Sequence, residues 1–142
     1  MRSLKLGKYF GIIALFIGLG ATSVTANQLF KENNQDSPLK TMQSMMDAVY
    51  YCGYGEKDRC RDLAQLCHSD GDNDVWNICY MGTYLKDKQK EYSEFWGSVS
   101  LGAELINGNR AMVHFMFEWE DTWRKEYMKL NLENGKWYLS SF

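Results

Sequence analysis

Three aspartates at alternate positions between two cysteines match the opening of a calcium-binding loop. They lie in the stretch "CHSDGDNDVWNIC" and are Asp70, Asp72 and Asp74. An EF-hand loop beginning there would need glycine at its sixth position and glutamate at its twelfth, where this chain has Val75 and Met81. Capping of a following helix by Asp72 or Asp74 explains the same residues without a metal. We therefore expect no metal site and no cofactor, with weak calcium binding as the alternative.

The cysteines form the second group of residues with chemistry: Cys52, Cys60, Cys67 and Cys79. Behind a secretory signal, an even count predicts two disulfides in an oxidising compartment. Their spacing lacks the close pairs of a tetrahedral zinc site. We expect Cys60 and Cys67 to share one helix, about 10 Å apart along its axis, which is too far for a bond. Two pairings stay open, Cys52–Cys60 with Cys67–Cys79, or Cys52–Cys67 with Cys60–Cys79. The first is favoured, because each pair then flanks a predicted turn.

Acid–base chemistry would need a titratable group in a pocket. Titratable residues on the predicted helices include Asp47, Tyr51 and Tyr84. His68 is expected near a helix end, where it would suit the exposed carbonyls. His114 lies on a predicted strand whose apolar row includes Val113, so it should point to the opposite face. The sequence contains no paired nucleophile and base and no glycine-rich phosphate loop, which favours binding over catalysis.

That opposite face of the sheet is a candidate partner surface. If Met128, Leu130 and Leu132 face the helices, an exposed aromatic and methionine patch results, formed by Met112, His114, Met116, Trp123 and Tyr127. Such patches mark surfaces that bind partners. The alternative is ordinary cross-strand pairing that lysine side chains partly cover.

The N-terminus indicates secretion. Arg2, Lys5 and Lys8 precede an apolar run that is short for a membrane span, and Ala26 ends a small-residue cleavage site. We expect a signal peptide over residues 1–26, a flexible lead-in over 27–36 and a single domain over 37–142. The signal carries three of the 16 basic residues and none of the 18 acidic ones, so the mature net charge is 13 minus 18, or −5. This balance argues against nucleic-acid binding, and we expect no membrane association after cleavage.

Residue patterns predict helices first and strands afterwards. Ser37 and Pro38 form a helix start, and apolar residues recur at helical spacing in three segments up to about residue 85. From about Tyr92 the apolar residues recur at every second position, which is typical of strands. Turns are predicted at Asn107-Gly108, near Glu120-Asp121 and at Asn134-Gly135. The expected fold is α+β, with three N-terminal helices packed on a curved four-stranded antiparallel sheet.

Two segments resemble the nuclear transport factor 2-like superfamily of cystatin-like α+β proteins, which also holds ketosteroid isomerases. They are the opening "SPLKTMQSMMDAVYYCGYG" and the closing "LENGKWYLSSF". The resemblance implies a cone-shaped domain with a pocket between helices and sheet, and Asp47, Tyr51 and Tyr84 are the candidate residues of that pocket. Members of the superfamily often dimerise through the outer sheet face. The cysteine-rich middle departs from the usual pattern.

From these observations we expect a periplasmic or secreted binding domain that is stabilised by disulfides. It would act on a partner protein, for example as an immunity or inhibitor protein, or on a small apolar ligand, with a homodimer through the sheet face as a further option. The alternative is a small enzyme similar to ketosteroid isomerase that uses acid–base chemistry in the cone.

Overall fold

A computed structural model describes residues 32–142; the predicted signal peptide and residues 27–31 lie outside this range. Within it, five helices precede four strands. The helices are α1 (Pro38–Gly53), α2 (Lys57–Ala64), α3 (Asn73–Cys79), α4 (Met81–Tyr84) and α5 (Gln89–Gly97), and a 3-10 turn (Lys86–Lys88) precedes α5. The strands are β1 (Ser100–Asn107), β2 (Arg110–Trp119), β3 (Thr122–Glu133) and β4 (Lys136–Ser141). The α+β class and the four-stranded antiparallel sheet are confirmed.

Helix α1 begins where the sequence predicts. The Ser37 side chain accepts a hydrogen bond from the Lys40 amide, and Pro38 occupies the first turn, where its missing N–H costs nothing. A residue from the sheet adds a second cap, because a Glu104 carboxylate oxygen accepts from the Leu39 amide at 2.8 Å. A carboxylate at a helix N-terminus is favourable because the free amides and the helix dipole attract negative charge.

The prediction of three helices was wrong in three places. The third predicted helix is interrupted at Tyr80 and forms the two short helices α3 and α4. Helix α2 ends at Ala64, so Cys67 does not share a helix with Cys60. Residues 89–97, expected near the start of the sheet, form α5 instead, with Trp96 2% exposed. Tyr92, Phe95 and Trp96 have helical spacing, and aromatic residues of high strand propensity obscured it.

The sheet has strand order β1-β2-β3-β4, and β1 and β4 are not paired with each other. It is therefore open and not curled into a cone, which corrects the prediction of a curved, cone-shaped sheet. Its turns lie close to the predicted positions. Asn134 and Gly135 both have positive φ, as do Glu120 and Asp121. The first hairpin centres on Gly108-Asn109, one residue later than predicted, because Asn107 already pairs with Arg110.

All helix contacts of the described sheet are made on one face, called here the inner face. Alternate residues of β2, β3 and β4 are buried there, while helix α1 contributes a stripe that includes Met42, Met45 and Val49. The inner sheet residues buried to 5% exposure or less are Ala111, Val113, Phe115, Met128, Leu130, Trp137 and Leu139. Removing this apolar surface from water is the main favourable term in folding.

A bulge changes the face of β1 halfway along its length. Leu101 is opposite Phe115 and faces inward, but the register shifts before Glu104, which is opposite Val113. The simple alternation predicted for this strand was therefore wrong. The extra residue turns Glu104 towards α1 and leaves Leu105 on the other face, 54% exposed.

The outer edge of β4 is covered by two loop segments. The amides of Trp137 and Leu139 donate to the carbonyls of Gln35 and Leu66. The His68 amide donates back to the Leu139 carbonyl at 2.7 Å. These hydrogen bonds pair the edge strand with loop segments from outside the sheet, which protects it from association with other strands.

The predicted boundaries of the signal peptide at residue 26 and of the lead-in at residue 36 stay predictions.

Candidate functional site

The outer face of the sheet, the side without helices in the described part of the chain, carries all five residues of the predicted partner patch. The registers place His114 opposite Tyr127 and Met116 opposite Lys125. On the inner face, Met128 and Leu130 are fully buried, which was the condition for the patch to face outward. The five residues therefore share the outer face, whereas their role as a partner surface stays a prediction.

Large apolar side chains are exposed across this face. Trp123 is 50% exposed, Met116 42% and Tyr127 40%. Met112 and His114 are half-buried between them. Sequence reasoning did not include Leu105, which the β1 bulge brings to the same face opposite Met112. Scattered exposed apolar residues are ordinary, but a contiguous group on one sheet face is typical of an interaction surface.

Basic side chains lie among these apolar ones. Lys125 and Lys129 alternate with the two aromatic residues along β3, and Arg110 points outward at the near end of β2. Glu118, opposite Trp123, is the acidic counterpart on this stretch of the face. The ammonium group of Lys129 lies 5.9 Å from the centre of the Tyr127 ring, within the range of a cation–π contact.

The centre of the outer face is His114. Its ring meets Tyr127 edge-on at 5.9 Å between centroids, and Gly102 of the β1 bulge lies against its backbone. A side chain at position 102 would come within 3.4 Å of the His114 Cβ, so glycine permits this close approach. The Nδ1 atom of His114 is buried and has no hydrogen-bond partner among residues 32–142.

A shallow depression of about 450 Å³ opens at the β1 end of the outer face. Its lining combines the apolar Leu105 and Met112 with the polar Arg110, Lys129 and Asn131. The depression is continuous with the patch through Met112. It therefore adds a concave area with the same mixture of apolar and basic side chains to the outer face.

A second group of polar residues lies between α1 and α2. Burial raises the pKa of Asp47 to about 7, and the positive charge of Arg59 only partly offsets this. Arg59 is 6% exposed and donates from Nη1 to Asp62 at 2.8 Å. Its Nε and Nη2 atoms are buried and have no hydrogen-bond partner within the described residues. With a pKa of about 7, the Asp47 carboxyl can take up or release a proton near neutral pH.

The three predicted pocket residues do not share one environment. Asp47 is largely buried, but Tyr84 on α4 is 75% exposed, so its ring faces solvent. Tyr51 is half-buried in α1 and contacts the ring of Tyr50 edge-on at 5.2 Å. Asp47 and His114 lie on opposite sides of the sheet, so they cannot serve one active site. Sequence reasoning missed Arg59, whose burial only the packing of α1 against α2 reveals.

The cysteine-rich segment has a structural arrangement. Disulfides join Cys52 to Cys60 and Cys67 to Cys79, the pairing that the turn argument favoured. Two disulfides indicate a small extracytoplasmic domain that these bonds stabilise. Asp72 caps α3 by accepting from the Val75 amide at 2.9 Å, as expected. Residues 32–142 contain no group of three potential metal-ligating side chains.

His68 lies in the loop after α2 and not at a helix end, which corrects the prediction. Its Nε2 atom is 2.8 Å from a carboxylate oxygen of Glu133, and its Nδ1 accepts from the Asp70 amide. His68 therefore connects the loop closed by the Cys67–Cys79 disulfide to Glu133 at the end of β3.

Comparisons with known proteins give no match: no family model, no curated protein and no solved structure is similar to this chain. Among the described helices, none is both long enough and apolar enough to cross a membrane. The nuclear transport factor 2-like resemblance therefore stays a prediction.

Proposed function

We propose that this protein is a periplasmic or secreted binding domain whose outer sheet face docks onto a partner protein. The observation that carries this proposal is the exposure of Met116, Trp123 and Tyr127 together on the sheet face that the described helices leave open. Tryptophan, tyrosine, methionine and arginine are enriched at protein interfaces, and this face has all four. An immunity or inhibitor protein that masks a toxin or an enzyme is one concrete form of this role.

The resemblance to the nuclear transport factor 2-like superfamily is part of the proposal. It is supported by the Ser37–Pro38 opening of α1 and by the closing strand β4, which follows the Asn134-Gly135 turn. A fold of this family would place a ligand pocket on the inner face of the sheet and a docking surface on the outer one. A domain built in this way can bind a partner without using the pocket.

Native mass spectrometry of the unreduced protein, purified from the secretory compartment of its own host, tests the proposal. The wild type should appear in a complex with another protein, and Trp123→Ala should weaken that complex. Trp76→Ala is the matched control, because Trp76 is 38% exposed on α3, away from the sheet face. A ligand-bearing monomer that both variants leave unchanged would contradict partner docking.

The same mass spectrum measures two further predictions, cleavage before Asn27 and the loss of four hydrogens on formation of two disulfides.

One observation favours a second candidate, acid–base chemistry on the helix side. The raised pKa of Asp47 would suit a general acid or base at neutral pH. In that case Asp47→Asn should abolish turnover or ligand binding while the partner complex persists. Loss of the complex in Asp47→Asn with no change in Trp123→Ala would instead reject the sheet face.

A further inference from the structure

We infer that the partner presents an acidic protein surface to the outer sheet face. This inference rests on the proposed function and names the chemistry of its partner. Three cationic side chains, Arg110, Lys125 and Lys129, are exposed around the apolar centre, and Glu118 alone opposes them on this stretch. None of the three cations forms an ion pair with another described residue.

The charge of this face is opposite to that of the chain as a whole. Four cations (Arg110, Lys125, Lys129 and Lys136) and two carboxylates (Glu118 and Glu133) leave the face with two positive charges, whereas the chain after the predicted signal carries −5. Glu133, farther along β3, is already held by His68. A local excess of one sign on a chain of the other sign directs association towards a complementary surface.

Hydrogen-bonding groups on the face point to the same partner chemistry. Guanidinium and ammonium groups donate but cannot accept, so Arg110, Lys125 and Lys129 require acceptors from the partner. Carboxylates meet this requirement best, since charge-assisted bonds are roughly twice as strong as neutral ones. The partly exposed rings of Trp123 and Tyr127 lie between the cations and present apolar surface to a partner. The expected partner surface therefore has an apolar centre and a carboxylate rim.

A second copy of this chain is a poorer occupant of the face. An isologous dimer would bring the same patch against itself, so two groups of three cations would meet with only two copies of Glu118 between them. Like charges at an interface are unfavourable. The acidic partner avoids this repulsion and also satisfies the cations.

The experiment uses poly-L-glutamate as a carboxylate-rich probe, with amide chemical shifts of the full mature protein as the readout. Amide chemical-shift changes on addition of poly-L-glutamate should cluster on β2 and β3. The affinity for poly-L-glutamate should fall at least about tenfold in Lys125→Glu/Lys129→Glu. Lys125→Arg/Lys129→Arg keeps the charge and should keep the binding. The matched control Lys57→Glu/Lys90→Glu changes the net charge equally on the helical half and should leave the affinity unchanged.

Three outcomes would overturn the inference. The first is no binding of poly-L-glutamate, and the second is shifts confined to the helices. The third is tighter binding of heparin or of phosphatidylglycerol vesicles at the same face, which would indicate a sulfated polysaccharide or a lipid surface. The inference can also fail while the proposed function stands: if Trp123→Ala loses the native complex and Lys125→Glu/Lys129→Glu retains it, the docking face is supported and the acidic partner is not. If Trp123→Ala retains the complex, the proposed function itself fails.

Discussion

The two faces of one sheet have the same strands and the same alternation, but they differ in what covers them. On the inner face, Val113 and Met128 are fully buried beneath the helices. One residue away on the outer face, Tyr127 is 40% exposed and Met116 42%. The inner residues are explained by burial within this chain. Burial within the described residues does not explain the outer ones, which is why we propose an intermolecular contact for them.

The largest expected effect tests this difference directly. Phe115→Ala should lower the free energy of unfolding by about 3–5 kcal/mol, because the ring is 2% exposed and packs against Trp96 at 5.3 Å. Met116→Ala, the neighbouring residue on the outer face, should change it by less than about 1 kcal/mol. Urea denaturation monitored by tryptophan fluorescence measures both. Equal losses would mean that the outer face is packed as tightly as the inner one.

The two edges of the sheet extend the comparison. Only β4 is covered by the loop that the Cys67–Cys79 bond closes. Replacing both cysteines by serine should cost about 2–4 kcal/mol of stability. It should also speed hydrogen exchange at the Leu139 amide, which donates to Leu66.

The control for the edge is the other disulfide. Cys52→Ser/Cys60→Ser should cost a similar amount, but native-state exchange at the Leu139 amide should change less. If the two double variants expose this amide equally, the Cys67–Cys79 loop is not what protects the β4 edge.

A smaller effect on stability is expected on the helix side of the sheet, where it depends on pH through the titration of Asp47. Folding raises the pKa of Asp47 from 3.8 to about 7, so the folded state favours the protonated carboxyl. This contribution to stability is fully present below about pH 4 and is lost as the pH rises through about 7. Asp47→Asn should therefore stabilise the protein by about 1–2 kcal/mol at pH 8.5 and change it little at pH 4. Thermal unfolding across this pH range measures the difference.

The exposed Asp87→Asn variant controls for general charge effects. It should change stability by less than about 0.5 kcal/mol at both pH values. A pH-independent effect of Asp47→Asn would show that folding does not raise the pKa of Asp47, which would contradict this account.

Local rules predicted much of the fold. Ser37-Pro38 and Asn134-Gly135 act through their own backbone preferences, so their capping and turn roles follow from the sequence. The outward direction of His114 followed from the apolar row that begins at Val113. These features depend on residues that are near each other in the chain.

What the sequence did not predict depends on distant contacts. The β1 bulge places Glu104 at the start of α1, and only the packed structure brings these positions together. The burial of Arg59 requires α1 and α2 to lie side by side. Helix α5 was missed because its aromatic residues have a local preference for strands. In the folded protein, the helical conformation of this segment buries Trp96 in the core.

Site-specific photo-crosslinking in the native host tests the central claim most directly. A photoreactive phenylalanine analogue replaces Tyr127 on the outer face or, as a control of equal chemistry, Tyr84 on the helical side, which is 75% exposed. The account predicts a discrete protein adduct from position 127 and none from position 84. An adduct from position 84 alone, or none from either position, would contradict the assignment of the outer sheet face as the docking surface.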